Sequence, residues 1–233
     1  QLLYFGQLKE GLALAKLAIS LNPEDVNLWA LLAEAQINNK LFDDALLSIE
    51  KGKLINPLIS GLYFAEGSIY ISQNKKQRAK KSLEQGLQIA PKNTNALFQY
   101  GNIFLMEKNY KKALSKYNKI IEIKANFWQA INNKGLIYFE QDAILLAINN
   151  FTKAIEIKKN AESMLALGVS LINTDKKKSI LLVREALQKN PNYASFEFRE
   201  EQLWGEKLQR ATEELFKLEE LKKDISIANL YKN

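Results

Sequence analysis

Residues 127–160 read FWQAINNKGLIYFEQDAILLAINNFTKAIEIKKN. Within this stretch Ile131, Gly135 and Tyr138 stand at i, i+4 and i+7, the spacing of one stripe on an α-helix. The small residue lies mid-stripe, where a second backbone can approach. Ala147 opens another stripe with Phe151 and Ala154, so the segment reads as two helices, A and B, with a turn between them.

Outward from this stretch the same registers recur every 34 residues. Gly11, Ala45, Ala79, Ala113 and Ala147 keep the step, as do Ala33, Gly67, Gly101 and Gly135. Trp29, Tyr63, Leu97 and Ile131 form a bulky series, and Gln36, Tyr70, Phe104 and Tyr138 an amide or aromatic one. Pro23, Pro57 and Pro91 punctuate the units, because proline lacks the N–H and biases its predecessor away from helix. Polar turns such as Asn38-Asn39-Lys40, Gln73-Asn74-Lys75 and Glu107-Lys108-Asn109 separate helix A from helix B.

This pattern resembles the tetratricopeptide repeat (TPR), a 34-residue helix-turn-helix unit with a W…L-G-x-x-Y…A…F…A…P layout. Residues 127–159 match it best, with Lys159 where the family usually has proline. The resemblance implies an all-α, TPR-type helical-repeat solenoid: a right-handed superhelix of antiparallel helix pairs, closed by a C-terminal capping helix. It divides the chain into a truncated first repeat at 1–23, with the last turn of a helix A and a complete helix B, and repeats at 26–59, 60–93, 94–127 and 128–160. A degenerate repeat follows at 161–191, where Gly168 comes 33 residues after Gly135 and Ser179 or Ile180 replaces the alanine. One residue is expected to be missing from its turn. Residues 192–233 then read as cap and tail, with one longer helix from Glu200 to about Lys223 carrying Leu203, Leu208, Ala211, Leu215 and Leu218 on one side. That helix either closes the core or serves as a dedicated binding helix.

Composition removes whole chemistries. With no Cys and no His among 233 residues, the chain has no thiolate nucleophile, no disulfide, no Cys/His zinc site and no imidazole acid or base. No P-loop, G-x-S-x-G elbow or dinucleotide fingerprint is present, and pairs such as Asp43 and Asp44 or Glu213 and Glu214 project about 100° apart on a helix. The expectation is a noncatalytic chain without cofactor or metal. The net charge of +7 rests on 29 lysines and only four arginines. Lysine lacks the planar fork that reads bases, so sequence-specific nucleic-acid binding is not expected.

In the TPR family the A helices line a concave groove. Position by position, the resemblance places Asn27, Ala30, Leu31 and Glu34, then Phe64, Ala65 and Ser68, on that face. Asn95, Phe98, Gln99, Asn102 and Met106 continue it, followed by Gln129, Asn132, Asn133, Leu136 and Phe139, and then Leu165, Ala166 and Val169. No lysine or arginine stands there, so the heat-shock-chaperone type of carboxylate clamp is not expected. The candidate site is a band of amides and aromatics: Phe64, Phe98, Gln99, Asn102, Asn132, Asn133 and Phe139. Amides both donate and accept, which suits an extended protein or peptide segment of any sequence. The alternative is that the amides only solvate an inner wall while the aromatics pack between helices.

The lysines of the B helices and turns, among them Lys111, Lys112 and Lys116, form either a solvated back or a docking surface for an anionic membrane, an acidic protein or nucleic acid. Trp204 either wedges the cap against Tyr193, Phe196 or Phe198 or stands as an exposed contact in that alternative surface. Trp29 reads as core and Trp128 as half-exposed. No run reaches the roughly 20 apolar residues of a membrane span. The chain starts at Gln1, so a missing upstream segment could carry a signal or anchor; the cytoplasm or the cytoplasmic face of a membrane is the expected location, with membrane contact through that segment or the lysine-rich face. The closing LWGEKLQRATEELF resembles the end of TPR assembly factors of photosynthetic cells, which implies a role in photosystem or pigment-enzyme assembly.

Overall fold

The computed structural model describes residues 7–231, and among them there is helix and turn but no strand. Helices α1 (Leu8–Leu21), α2 (Val26–Asn38), α3 (Phe42–Ile55), α4 (Ser60–Ser72), α5 (Lys76–Ile89), α6 (Thr94–Met106) and α7 (Tyr110–Ile123) come first. They are followed by α8 (Trp128–Glu140), α9 (Ile144–Ile157), α10 (Ala161–Leu171) and α11 (Lys176–Lys189). The C-terminal region holds α12 (Phe196–Glu201), α13 (Glu206–Phe216) and α14 (Lys222–Tyr231). The fold is the all-α TPR type. The expected remnant of a first helix A falls largely on residues 1–6, outside the described residues.

The chain divides into two compact units, with the boundary between Ile103 and Phe104. In the first, α2 pairs with α3 and α4 with α5; in the second, α8 pairs with α9 and α10 with α11. Ala45, Ala79, Ala113 and Ala147 are fully buried, and so is a second periodic series one helical turn later, Ile49, Leu83, Tyr117 and Phe151. In α4 and α8 the small residue of helix A receives this second series, Gly67 against Leu83 and Gly135 against Phe151. A Cβ on Gly135 would stand 2.5 Å from the Phe151 ring, a distance no folded pair tolerates.

The turn from A to B explains the polar series of the sequence. Lys40, Asn74, Lys108 and Asp142 all have positive φ, between 55° and 60°. At each, the next residue's N–H reaches back to the carbonyl of the amide or aromatic series: Leu41 to Gln36, Lys75 to Tyr70, Asn109 to Phe104 and Ala143 to Tyr138, at 2.8–2.9 Å. This is the Schellman ending of a helix, which satisfies two otherwise orphaned carbonyls.

The degenerate repeat departs from this. Its turn has no positive-φ residue; the N–H groups of Thr174 and Asp175 both reach Leu171 O instead. The connection before α10 spans residues 158–160, three residues against four in 56–59, 90–93 and 124–127. A residue is therefore missing in the link between repeats, not only in the turn. Ser179 takes the alanine position, fully buried, with its hydroxyl donating to Gly168 O at 2.6 Å.

The single long C-terminal helix expected from Glu200 does not form. Leu203 takes a φ of 66° and Trp204 N–H reaches Arg199 O at 3.1 Å, so α12 ends in the same turn as the repeat helices. The chain then re-enters α13, which lies against α8 and α10, the A helices of two successive repeats, while α14 packs on α11 and the short 3-10 turn 191–194. Arg199 anchors this arrangement from a fully buried position. It donates to Gln209 Oε1 at 2.8 Å and Tyr193 O at 2.7 Å, pairs with Glu213, and stacks over the Phe216 ring.

Candidate functional site

The helix-A wall differs between the two units. In the first unit, Leu31 on α2 is 41% exposed and Glu34 beside it is also exposed. On α4, Phe64, Ala65 and Ser68 are half-buried. Phe64 packs against Gly86, where a Cβ would meet its ring at 2.4 Å. From α6, Gln99 Nε2 donates to Ser68 Oγ at 2.9 Å, which ties the two A helices together through a polar pair. Phe98 and Asn102 are half-buried beside it. The first-unit members of the expected band therefore remain partly open to solvent, with Gln99 bonded to Ser68.

In the second unit the wall is covered. Trp204, Leu208 and Leu215 from the C-terminal segment join Leu136, Phe139, Leu165, Ala166 and Val169 in one core cluster. The last three, expected on an open groove, are at most 2% exposed. Asn132 and Asn133, expected to meet a partner, are buried and bonded inside the protein. Asn132 Nδ2 donates to Glu162 Oε1 at 2.8 Å, and Ser163 Oγ donates to Asn132 Oδ1 at 2.7 Å. Asn133 Nδ2 donates to Tyr117 Oη at 3.3 Å. The physical reason is satisfaction: once α13 covers the wall, each buried amide needs partners from its own chain.

Glu162 is the centre of this network, although in the sequence it reads as an ordinary first-turn acid. Burial pushes its carboxyl up to about 7, against the hydrogen bond from Asn132, which favours the charged form. The Tyr193 hydroxyl is in turn held protonated by burial and by the neighbouring carboxylate. Trp204, 5% exposed, has its Nε1–H buried and unsatisfied. Its ring packs beside Tyr193 at 6.3 Å between centroids. Trp204 is thus a packing residue rather than an exposed contact.

Lys111 and Lys112 of the alternative surface are exposed on α7, and Lys116 is half-buried. Trp29 is half-buried, with Nε1 donating to Pro23 O at 2.7 Å, and Trp128 is half-buried under the Lys158 ammonium. Among the described residues, no group of acids could hold a metal ion, and no helix is long and apolar enough to cross a membrane.

The tetratricopeptide repeat family model matches residues 60–93 and 129–160. No curated protein matches the sequence significantly. Among solved structures, MamA is 23% identical, with 68% of this chain aligned to 92% of that one at a TM-score of 0.62. YrrB, described as a TPR protein with an unusual peptide-binding site, is 19% identical, with 77% of this chain and 93% of that one aligned at 0.63. PilF of Pseudomonas aeruginosa is 13% identical over 89% of this chain and 97% of its own at 0.62. At these identities the likeness is one of fold, and it lends no support to a role in photosynthetic assembly.

Proposed function

We propose that this chain, which has the tetratricopeptide-repeat fold and matches that family's model at residues 60–93 and 129–160, is a noncatalytic interaction scaffold that holds a protein or peptide segment on the helix-A wall of its first unit. The observation that carries this reading is the half-exposed stripe of apolar and amide side chains there: Leu31, Phe64 and Phe98, with Gln99 and Asn102. Apolar side chains offer pockets, and amides pair with a peptide backbone without regard to sequence. The peptide-binding description of YrrB, a protein of the same fold, supports a peptide as the class of partner.

The test is affinity capture from native extract with the wild-type chain and with a Leu31→Asp, Asn102→Ala variant, at 0.15 and 0.5 M salt. Leu31 is exposed, so circular dichroism should show an unchanged fold. A partner retained at high salt by the wild type and lost at least tenfold by the variant is expected. Equal capture by both chains would remove the wall from consideration; loss of capture in salt alone would point instead to the exposed lysines.

A further inference from the structure

Two B helices carry the same pattern with opposite charge. On α3 it reads Asp43, Leu46, Leu47 and Glu50; on α11, counted from Ser179 in the alanine place, it reads Lys177, Ile180, Leu181 and Arg184. The spacing i, i+3, i+4 and i+7 sets each quartet on one stripe of its helix, apolar in the middle and charged at both ends. The repeat itself requires neither quartet. In the three repeats between them the charged places hold Gln77 and Glu84, Lys111 and Asn118, and Leu145 and Thr152.

Both stripes are open. Leu47 is 62% exposed and Leu181 56%, with Asp43, Glu50 and Lys177 exposed beside them. Each borders a groove: Leu46, Leu47 and Tyr70 line one of about 530 Å³ in the first unit, and Ile180, Leu181 and Arg184 one of about 490 Å³ in the second. The charges of the two grooves are unbalanced in opposite senses. In the first, Lys53 is held by Glu66 at 2.6 Å and lies over the Tyr63 ring, so Asp43 and Glu50 have no ion-pair partner among the described residues. Around α11 it is the acids that are engaged: Asp175 accepts from Lys178 N–H, Glu220 pairs with Lys176, and Asp224 pairs with Arg184. The Lys177 and Lys178 ammonium groups stay unpaired among the described residues, and Arg184 donates to Asp224 and Glu220 O through Nε and Nη2 only.

From these two faces we propose that the chain associates head to tail with a second copy of itself, α3 of one copy lying against α11 of the next. In an antiparallel approach Glu50 meets Lys177 and Asp43 meets Arg184, while Leu46 and Leu47 cover Ile180 and Leu181. The ion pairs select the partner face and its register, and the four apolar side chains leave water together. The contact is heterologous, because the two surfaces differ. Each end of a dimer therefore still presents one unused stripe, and association continues unless it closes into a ring. The helix-A wall takes no part, so this association and the peptide reading stand or fall separately.

Sedimentation velocity tests it, from micromolar to near-millimolar chain in about 0.05 M salt, where exposed charges are least screened. The weight-average mass of the wild type should rise with concentration, to about twofold or more over the 26.6 kDa monomer. The variant Asp43→Lys, Glu50→Lys has two basic stripes, and Lys177→Glu, Lys178→Glu has two with free carboxylates. Each alone should stay monomeric, and an equimolar mixture of the two should associate again. A Lys92→Glu, Lys119→Glu chain, with the net charge of the second variant and both stripes intact, should associate like the wild type. All six substituted residues are exposed, so circular dichroism should show an unchanged fold. A wild type that stays monomeric throughout, either stripe variant associating like the wild type, or a mixture that stays monomeric would overturn the proposal. Loss of association in the Lys92, Lys119 control would overturn it equally, since net charge and not the stripes would then govern.

Discussion

Glu140 and Gly205 share one space. A Cβ on Gly205 would stand 2.2 Å from Glu140 Cδ, and the carboxylate so admitted accepts from the first turn of α13, Oε1 from Leu208 N–H at 3.0 Å and Oε2 from Lys207 N–H at 3.2 Å. The end of one repeat helix thus caps the start of the covering helix, where a negative charge also meets the positive end of the helix dipole. Lys207 with Asp142 and Glu206 with Lys108 extend the seam.

Gly205→Ala should therefore displace the Glu140 carboxylate and destabilise the second unit by about 1–2 kcal/mol in urea unfolding. In a Glu140→Ala background the same change should be close to neutral. The resulting coupling, about 1 kcal/mol, is the diagnostic quantity. Additive effects would show that the two residues do not act on each other.

Gly135 and Gly61 should respond in opposite directions. Gly135→Ala drives a methyl into the fully buried Phe151 ring and should lose about 1–3 kcal/mol. Gly61, in the first turn of α4, has no atom within 4 Å of the point where a Cβ would stand, so Gly61→Ala should gain up to about 0.5 kcal/mol. Thermal unfolding of the two variants checks both signs.

Arg199→Met removes a fully buried cation and leaves Gln209 and the Tyr193 carbonyl without their donor. A loss of about 3 kcal/mol is expected. Arg199→Lys should recover little, because an ammonium cannot reach three acceptors in the planar fork geometry. Full recovery by lysine would show that charge alone matters here.

Lys40 holds a φ of 60°, a conformation unfavourable to a side chain with a Cβ. Lys40→Gly should stabilise the first unit by about 0.5 kcal/mol and Lys40→Val should destabilise it by about 1 kcal/mol or more. Matched urea denaturation curves separate the two.

Most of the repeat architecture was legible because each packing contact repeats. The bulky, small and aromatic registers of helix A answer to a fixed partner in helix B, so a 34-residue period carries the contacts in the open. The turn was legible as polar residues, although its positive φ at Lys40, Asn74, Lys108 and Asp142 became visible only in the structure. Of the candidate band, Phe64, Phe98, Gln99 and Asn102 stand half-buried on the first unit, whereas Asn132, Asn133 and Phe139 are buried within the chain's own contacts in the second, which the register alone did not separate. No periodic rule predicts the C-terminal cover, because residues 192–231 lie outside the repeat. Glu162 carried no signal at all: its hydrogen-bond partner Asn132 lies 30 residues away on another helix, a contact no local pattern describes.

The sequence by itself determined the helix pairs, their faces and the absence of cysteine and histidine chemistry, since these follow from composition and from side-chain volume and spacing within one repeat. Only the tertiary structure decided which wall is covered, where the C-terminal helix breaks and which amides are buried with partners from their own chain. Those outcomes rest on contacts made once, between segments distant along the chain, and a contact made once leaves no period to read.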